Sequence, residues 1–140
     1  MNARRIAGVR ACGMAEARVR LAQAHEFVRV ATLCMDEDDS EDMHAQAAAA
    51  LAVLAGIAAA DAVCCARLKQ RHRGQDHEGA VALLRTVHPH GESMGKDLSR
   101  LLSEKDNAHY GAVVVSDTKA REMIKWATRL IDEATHQLTL

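Results

Sequence analysis

Apolar residues recur along most of this chain with helical spacing, and one stretch departs from the pattern by being apolar on every side. That stretch, 43–68 (MHAQAAAALAVLAGIAAADAVCCARL), is dominated by alanine and has no proline, so a continuous helix of about 39 Å is the local expectation. Leu51, Leu54, Ala55 and Ala58 share one face, while Val53, Ile57, Ala60 and Cys64 cover another. A helix apolar all round is either the centre of a bundle or a membrane span. Against the span stand the weak hydrophobicity of alanine, the absence of aromatic anchors, and Asp61, which costs about 2.5–3.5 kcal/mol at a bilayer centre. The reading is a buried central helix whose small side chains and Gly56 let neighbours approach closely.

Around it the pattern predicts four more helices. The first runs from about Met14 to Met35, with Ala24, Phe27 or Val28, Ala31 and Met35 inward. Asp76 is a good N-cap for a helix over 77–87, which His88-Pro89-His90-Gly91 stops. A helix over about 95–109 turns Leu98, Leu101 and Leu102 inward, and Gly111 stands where a C-terminal glycine ends a helix. Val113 to Val115 bridges in extended form. Ser116 or Asp117 caps the last helix, where Ala120, Met123, Ala127, Leu130, Ile131 and Ala134 keep the cleanest period in the chain. Five helices with short connections predict an all-α antiparallel bundle around the 43–68 helix, one domain over 1–140. Residues 1–12 read as a frayed lead-in and 36–42 as an acidic loop.

Composition supports this class. Proline occurs once and only Phe27, Tyr110 and Trp126 are aromatic. The net charge of −1 hides a split, because the run DEDDSED at 36–42 carries six acids and the remainder sums to +5. The four cysteines, Cys12, Cys34, Cys64 and Cys65, form no CxxC unit, and no secretion signal is visible. Reduced thiols in a cytoplasmic protein are therefore expected. Eight histidines raise the question of a metal, but no H-E-x-x-H or Cys/His cluster answers it, so no metal and no cofactor is expected.

The densest chemistry lies in RLLSEKDNAHYG, residues 100–111. Lys105 and His109 are four apart and so share a helical face, as do Asp106 and Tyr110 on the neighbouring stripe. A histidine at a helix C-terminus meets the negative end of the dipole, which favours its charged form. One turn thus offers a proton-transfer group, a cation, an amide (Asn107) and a phenol. The alternative is that His109 and Tyr110 cap the helix and pack beneath the following valines. Asp61, an acid in an apolar helix, needs a partner. Either it forms a structural pair with Arg73, Lys105 or His77, or it walls the same cleft. The turn 67–77, with Arg67, Lys69, Arg71, Arg73 and two histidines, reads as a phosphate-contacting lip or as a solvated turn.

The segment LLSEKDNAHYG, preceded by a helix opening HEGAVALL and by the long GIAAADAVCCA helix, resembles the HEPN domain family over roughly residues 14–138. Proteins of that family are small all-α bundles, usually dimeric. Many are metal-independent ribonucleases marked by an arginine, four to six intervening residues and a histidine. By that resemblance His109 matches the signature histidine. Leu102, Ser103 and Glu104 stand where the arginine would fall, and Lys105-Asp106 looks like a shifted stand-in for the arginine-plus-polar pair. The resemblance implies attack of an RNA 2′-hydroxyl on its own phosphate, with His109 as general base or acid and Lys105 stabilising phosphoryl charge. Asn107 and Tyr110 would orient the ribose or stack on a base. It implies RNA binding or endoribonuclease activity in a toxin–antitoxin or defence setting. The alternative is a catalytically inactive module that binds a partner protein or ligand. A homodimer is expected from the resemblance, and also because the central helix presents more apolar surface than one short chain easily covers.

Overall fold

The computed structural model describes residues 8–36, 43–74, 76–111 and 114–140, together with all their side chains except that of Tyr110. Six helices and a two-stranded sheet make up the described chain: β1 (Val9–Ala11), α1 (Met14–Asp36), α2 (His44–Leu68), β2 (Gln70–His72), α3 (His77–Arg85), α4 (Gly91–Ser103), α5 (Lys105–Tyr110) and α6 (Asp117–Gln137). The fold is an all-α bundle, as the periodicity implied. Most of the acidic run, residues 37–42, lies outside the described residues, as do residues 1–7 and Val113.

The centre is α2, which packs most extensively on α1 and α6 and also meets α3, α4 and α5. It is long and apolar enough to cross a membrane by length and composition, yet most of it is buried inside the bundle. Close approach explains the alanines. On α1 the fully buried Ala17, Ala24 and Ala31 recur at seven-residue intervals, and across from them Ala48, Ala52, Ala55, Ala58 and Ala62 are equally closed to solvent. Gly56 extends the same logic to α4, since a Cβ there would stand 2.5 Å from Leu101 Cδ1. Larger side chains, notably Leu84, Met94, Leu98, Leu101, Met123 and Leu130, fill the space between α2 and the outer helices. The bundle thus covers its central helix from within one chain. Uncovered surface on α2 is therefore no argument for a dimer, although Leu54 remains 38 % exposed.

The helix ends follow the capping residues. Asp76 accepts a hydrogen bond from the Glu78 N–H at 3.1 Å, and Ser116, rather than Asp117, caps α6 by accepting from the Lys119 N–H at 3.1 Å. The helix expected over 95–109 is instead two. α4 begins four residues earlier, at Gly91, and the chain breaks at Glu104. There the Glu104 N–H bonds back three residues to the Leu101 carbonyl, while the Ser103 hydroxyl donates to the Arg100 carbonyl. A hydroxyl that occupies a helix carbonyl competes with the helix ladder, which places the break here. Gly111 is extended (φ −67, ψ 143), not left-handed as a helix-ending glycine would be.

Two expectations are overturned at the other end of α2. Residues 8–12 are not frayed. β1 pairs antiparallel with β2 in the register Val9↔His72, Arg10↔Arg71, Ala11↔Gln70, extended by Cys12 N–H to Lys69 O (3.0 Å) and Arg73 N–H to Gly8 O (2.6 Å). Nor are all four cysteines reduced. Cys12 and Cys65 are joined by a disulfide with their Cα atoms 5.2 Å apart, leaving Cys34 and Cys64 as thiols. The pairing was invisible in the sequence because the register of α1 on α2, rather than any local spacing, sets those two residues opposite one another.

Candidate functional site

The antiparallel packing of α1 on α2 carries one buried acid to the edge of the bundle. Asp61 is 9 % exposed and accepts from Arg20 of α1 at 3.1 Å (Nε) and 2.9 Å (Nη2). Arg71, on β2, approaches the same carboxylate oxygen to 3.8 Å and reaches Glu16 on α1 at 3.9 Å. Asp61 thus has two guanidinium partners, neither of them the Arg73, Lys105 or His77 expected from sequence. Burial raises the pKa of its carboxyl, outweighing the opposing effects of Arg20, Arg71 and His72. Cys64, three residues on, has its thiol pushed up to about 12, first by burial and then by the Asp61 charge.

Asp61 forms part of the wall of a cleft of about 520 Å³ between the β2 turn, α2, α3, α4 and the start of α5. Its floor is apolar, with Ile57, Ala60, Leu98 and Leu102, and its rim is charged. Among the described residues four cations line it, Arg20, Arg71, Arg73 and Lys105, against two carboxylates, Asp61 and Asp76. His72 and His77 complete the rim, and among the described residues the buried Nε2 of His72 has no hydrogen-bond partner. Of the residues singled out from sequence, the structure therefore brings Asp61, Arg73 and Lys105 into one cleft. Part of the basic turn is a strand and forms the lip. Arg67 and Lys69 turn elsewhere, to the His88 carbonyl (3.2 Å) and the Ala66 carbonyl (3.2 Å).

His109 does not line this cleft. It stands one turn beyond Lys105 on α5, half-buried, with its Nε2 closed to solvent. Its pKa is lowered, by burial first and then by the Lys105 charge. The shift is opposite to the one a helix dipole would give. A six-residue helix has little dipole to offer, and desolvation plus a neighbouring cation win. Lys105 and His109 stand four residues apart on this helix, close enough for the Lys105 charge to act on the imidazole. Asp106 and Asn107 are exposed on the same helix and outside the cleft lining, while the side chain of Tyr110 lies outside the described residues.

α5 is held by a residue that no motif flagged. Gln46, in the first turn of α2, donates to the carbonyls of Asn107 (2.6 Å) and Ala108 and accepts from the Val115 N–H at 3.1 Å. Arg20 was likewise missed as a site residue, whereas Arg71 and His72 belong to the basic turn 67–77 already read as a lip. The available signal was the one-turn spacing of Glu16 and Arg20 on α1, which needs a partner helix before it means anything. No protein-family model matches the chain, and no curated protein matches it.

Proposed function

We propose that this is a HEPN-like protein that engages RNA, binding phosphates in the Asp61 cleft, and that it cleaves RNA without a metal. The observation that carries the reading is the cleft itself, where Arg20, Arg71, Arg73 and Lys105 face a space with an apolar floor. Such a rim concentrates anions, and the floor offers a base an apolar surface. Lys105 joins this cleft to the α5 face that carries His109. The depressed pKa of His109 keeps its imidazole neutral at pH 7, the form able to accept a proton. In the proposed reaction a ribose 2′-hydroxyl loses its proton to His109 and attacks the adjacent phosphorus. The bond to the 5′-oxygen breaks and that oxygen takes up a proton, while Lys105 offsets the charge on the phosphoryl oxygens. Asp106 and Asn107, exposed beside them, would contact the ribose, and Tyr110 would stack on a base. The proposal extends to a homodimer in the cytoplasm, in a toxin–antitoxin or defence role, on the strength of the resemblance alone.

A second reading, a catalytically inactive dimeric interaction or ligand-binding module, is favoured by one feature: the Nε2 of His109 is closed to solvent. Binding and cleavage of a labelled single-stranded RNA, in EDTA and across salt concentrations, separate the two. The enzyme reading expects His109→Ala to abolish cleavage but keep binding, and Arg73→Glu or Lys105→Glu to weaken binding at least 10-fold. Binding that is weakened by those substitutions, with no cleavage by the wild type, selects the module. No RNA binding by the wild type refutes the cleft reading. Light scattering at micromolar concentration tests the dimer.

A further inference from the structure

Two rungs tie the start of α1 and the residue leading into it to the end of α2, with Glu16 between them. Cys12, Glu16 and Arg20 follow one another at four-residue intervals, and across from them Asp61 and Cys65 are also four apart. The outer rung is the Cys12–Cys65 disulfide and the inner is the Arg20–Asp61 pair. Between them Glu16 brings a carboxylate oxygen within 4.8 Å of both cysteine sulfurs and also meets Arg71, which in turn meets Asp61. Glu16 therefore stands between the disulfide and a cleft cation. It also fixes Cys12, the residue that follows β1 and bonds to Lys69, so it clamps β1 onto the strand that carries Arg71 and His72.

We propose that the Cys12–Cys65 bond is a thiol–disulfide lock on the cleft lip: oxidised, it holds β2 and its cations in place, and reduced, it releases them. Cys12 is half-exposed and Cys65 fully buried, so a dithiol reductant attacks the Cys12 sulfur. One thiolate of the reductant forms a mixed disulfide with Cys12, and Cys65 leaves and takes up a proton. The second thiol of the reductant then displaces Cys12 and departs as the oxidised disulfide. Two electrons and two protons have passed to the protein. With the bond gone, β1 is held by its few strand hydrogen bonds, and Glu16 and Arg71 lose the anchored neighbour that sets their positions. In a reducing compartment a bond of this kind is transient or sensing rather than permanent.

The role in ligand binding rests on the phosphate reading of the cleft, whereas the lock itself does not, so two readouts are needed. Hydrogen exchange of the full-length protein should show the amides of 9–12 and 70–73 exchanging at least 10-fold faster after reduction. Cys12→Ser/Cys65→Ser should match the reduced protein, and Cys34→Ser should match the oxidised one. Affinity for a labelled single-stranded RNA, or for pyrophosphate as a probe, should fall at least fivefold on reduction and return on reoxidation. Equal exchange in both redox states overturns the lock, and equal affinity for a probe that binds overturns its control of the cleft. If the oxidised protein binds neither probe, the phosphate reading fails while exchange still decides the lock.

Discussion

The position of α5, and with it Lys105 and His109, hangs on one amide, so Gln46→Leu is the substitution that tests how the site is built. Leucine matches glutamine closely in size and in helix propensity, so α2 itself should be undisturbed. What disappears is a set of three hydrogen bonds: two to the carbonyls at the end of α5, and one from the Val115 N–H. A neutral hydrogen bond contributes about 1 kcal/mol net, and more is lost when the orphaned group stays buried. The Asn107 carbonyl sits at an exposed position and rehydrates, whereas the Ala108 and Val115 groups are partly buried. A loss of about 2 kcal/mol follows. Urea unfolding followed by circular dichroism measures it, and hydrogen exchange reports whether 105–111 loosens ahead of global unfolding. RNA affinity should fall in parallel, because Lys105 then samples positions outside the cleft. A change of less than about 0.5 kcal/mol with unchanged exchange over 105–111 would refute the reasoning.

Gly91→Ala should cost about 1–3 kcal/mol, read as a lower urea midpoint, because its Cβ would stand 2.6 Å from the Arg85 carbonyl oxygen and 2.9 Å from that of Leu84. Both are backbone atoms at the end of α3 and cannot step aside as a side chain would. Burial pushes the Glu133 carboxyl up, but hydrogen bonds from His90 (2.7 Å) and Gln137 (3.0 Å) outweigh it and hold the pKa below 4.5. Its folded pKa is depressed, so its contribution is present above pH 4.5 and lost as pH falls through the folded value. Glu133→Gln should accordingly flatten the acid limb of the stability profile; an unchanged limb would show that other carboxylates set it. Proton NMR should place the His109 titration below 6.5, and Lys105→Gln should move it upward by removing a neighbouring cation. A midpoint at or above 6.5, or one indifferent to Lys105, would contradict the described environment.

Helices with a cleanly periodic face were legible from the chain. α2 and α6 match their expected spans to within a few residues, because an alanine-rich run and a strict apolar stripe each leave one stable solution. The break at Glu104 was not read from sequence, since LLSEKDNAH contains no glycine or proline to mark it. The split comes from local carbonyl competition at Ser103 and from the pull of Gln46 on the far end. β1 and β2 gave no signal at all. Three residues apiece, including two arginines, have no strand pattern of their own, and they pair only after α1 and α2 have brought positions 9–11 beside 70–72.

The site shows the same division between local and non-local information. Asp61 stood out because an acid in an apolar helix demands a partner, and that demand was correct. Which partner it takes was undetermined, because Arg20 lies 41 residues away and is selected by the register of α1 against α2. That register is set by seven-residue alanines on α1 meeting small residues on α2, so the feature that makes the core close-packed also decides the electrostatics at its edge. Shifting α1 by one turn would set Glu16 or Ala24 opposite Asp61 in place of Arg20, and Cys12 would no longer face Cys65. The Arg20–Asp61 pair and the disulfide are therefore consequences of a single packing choice. Sequence reasoning that treats helices one at a time finds the acid and the basic turn, but it reaches Arg20 and the disulfide only once two helices are set side by side.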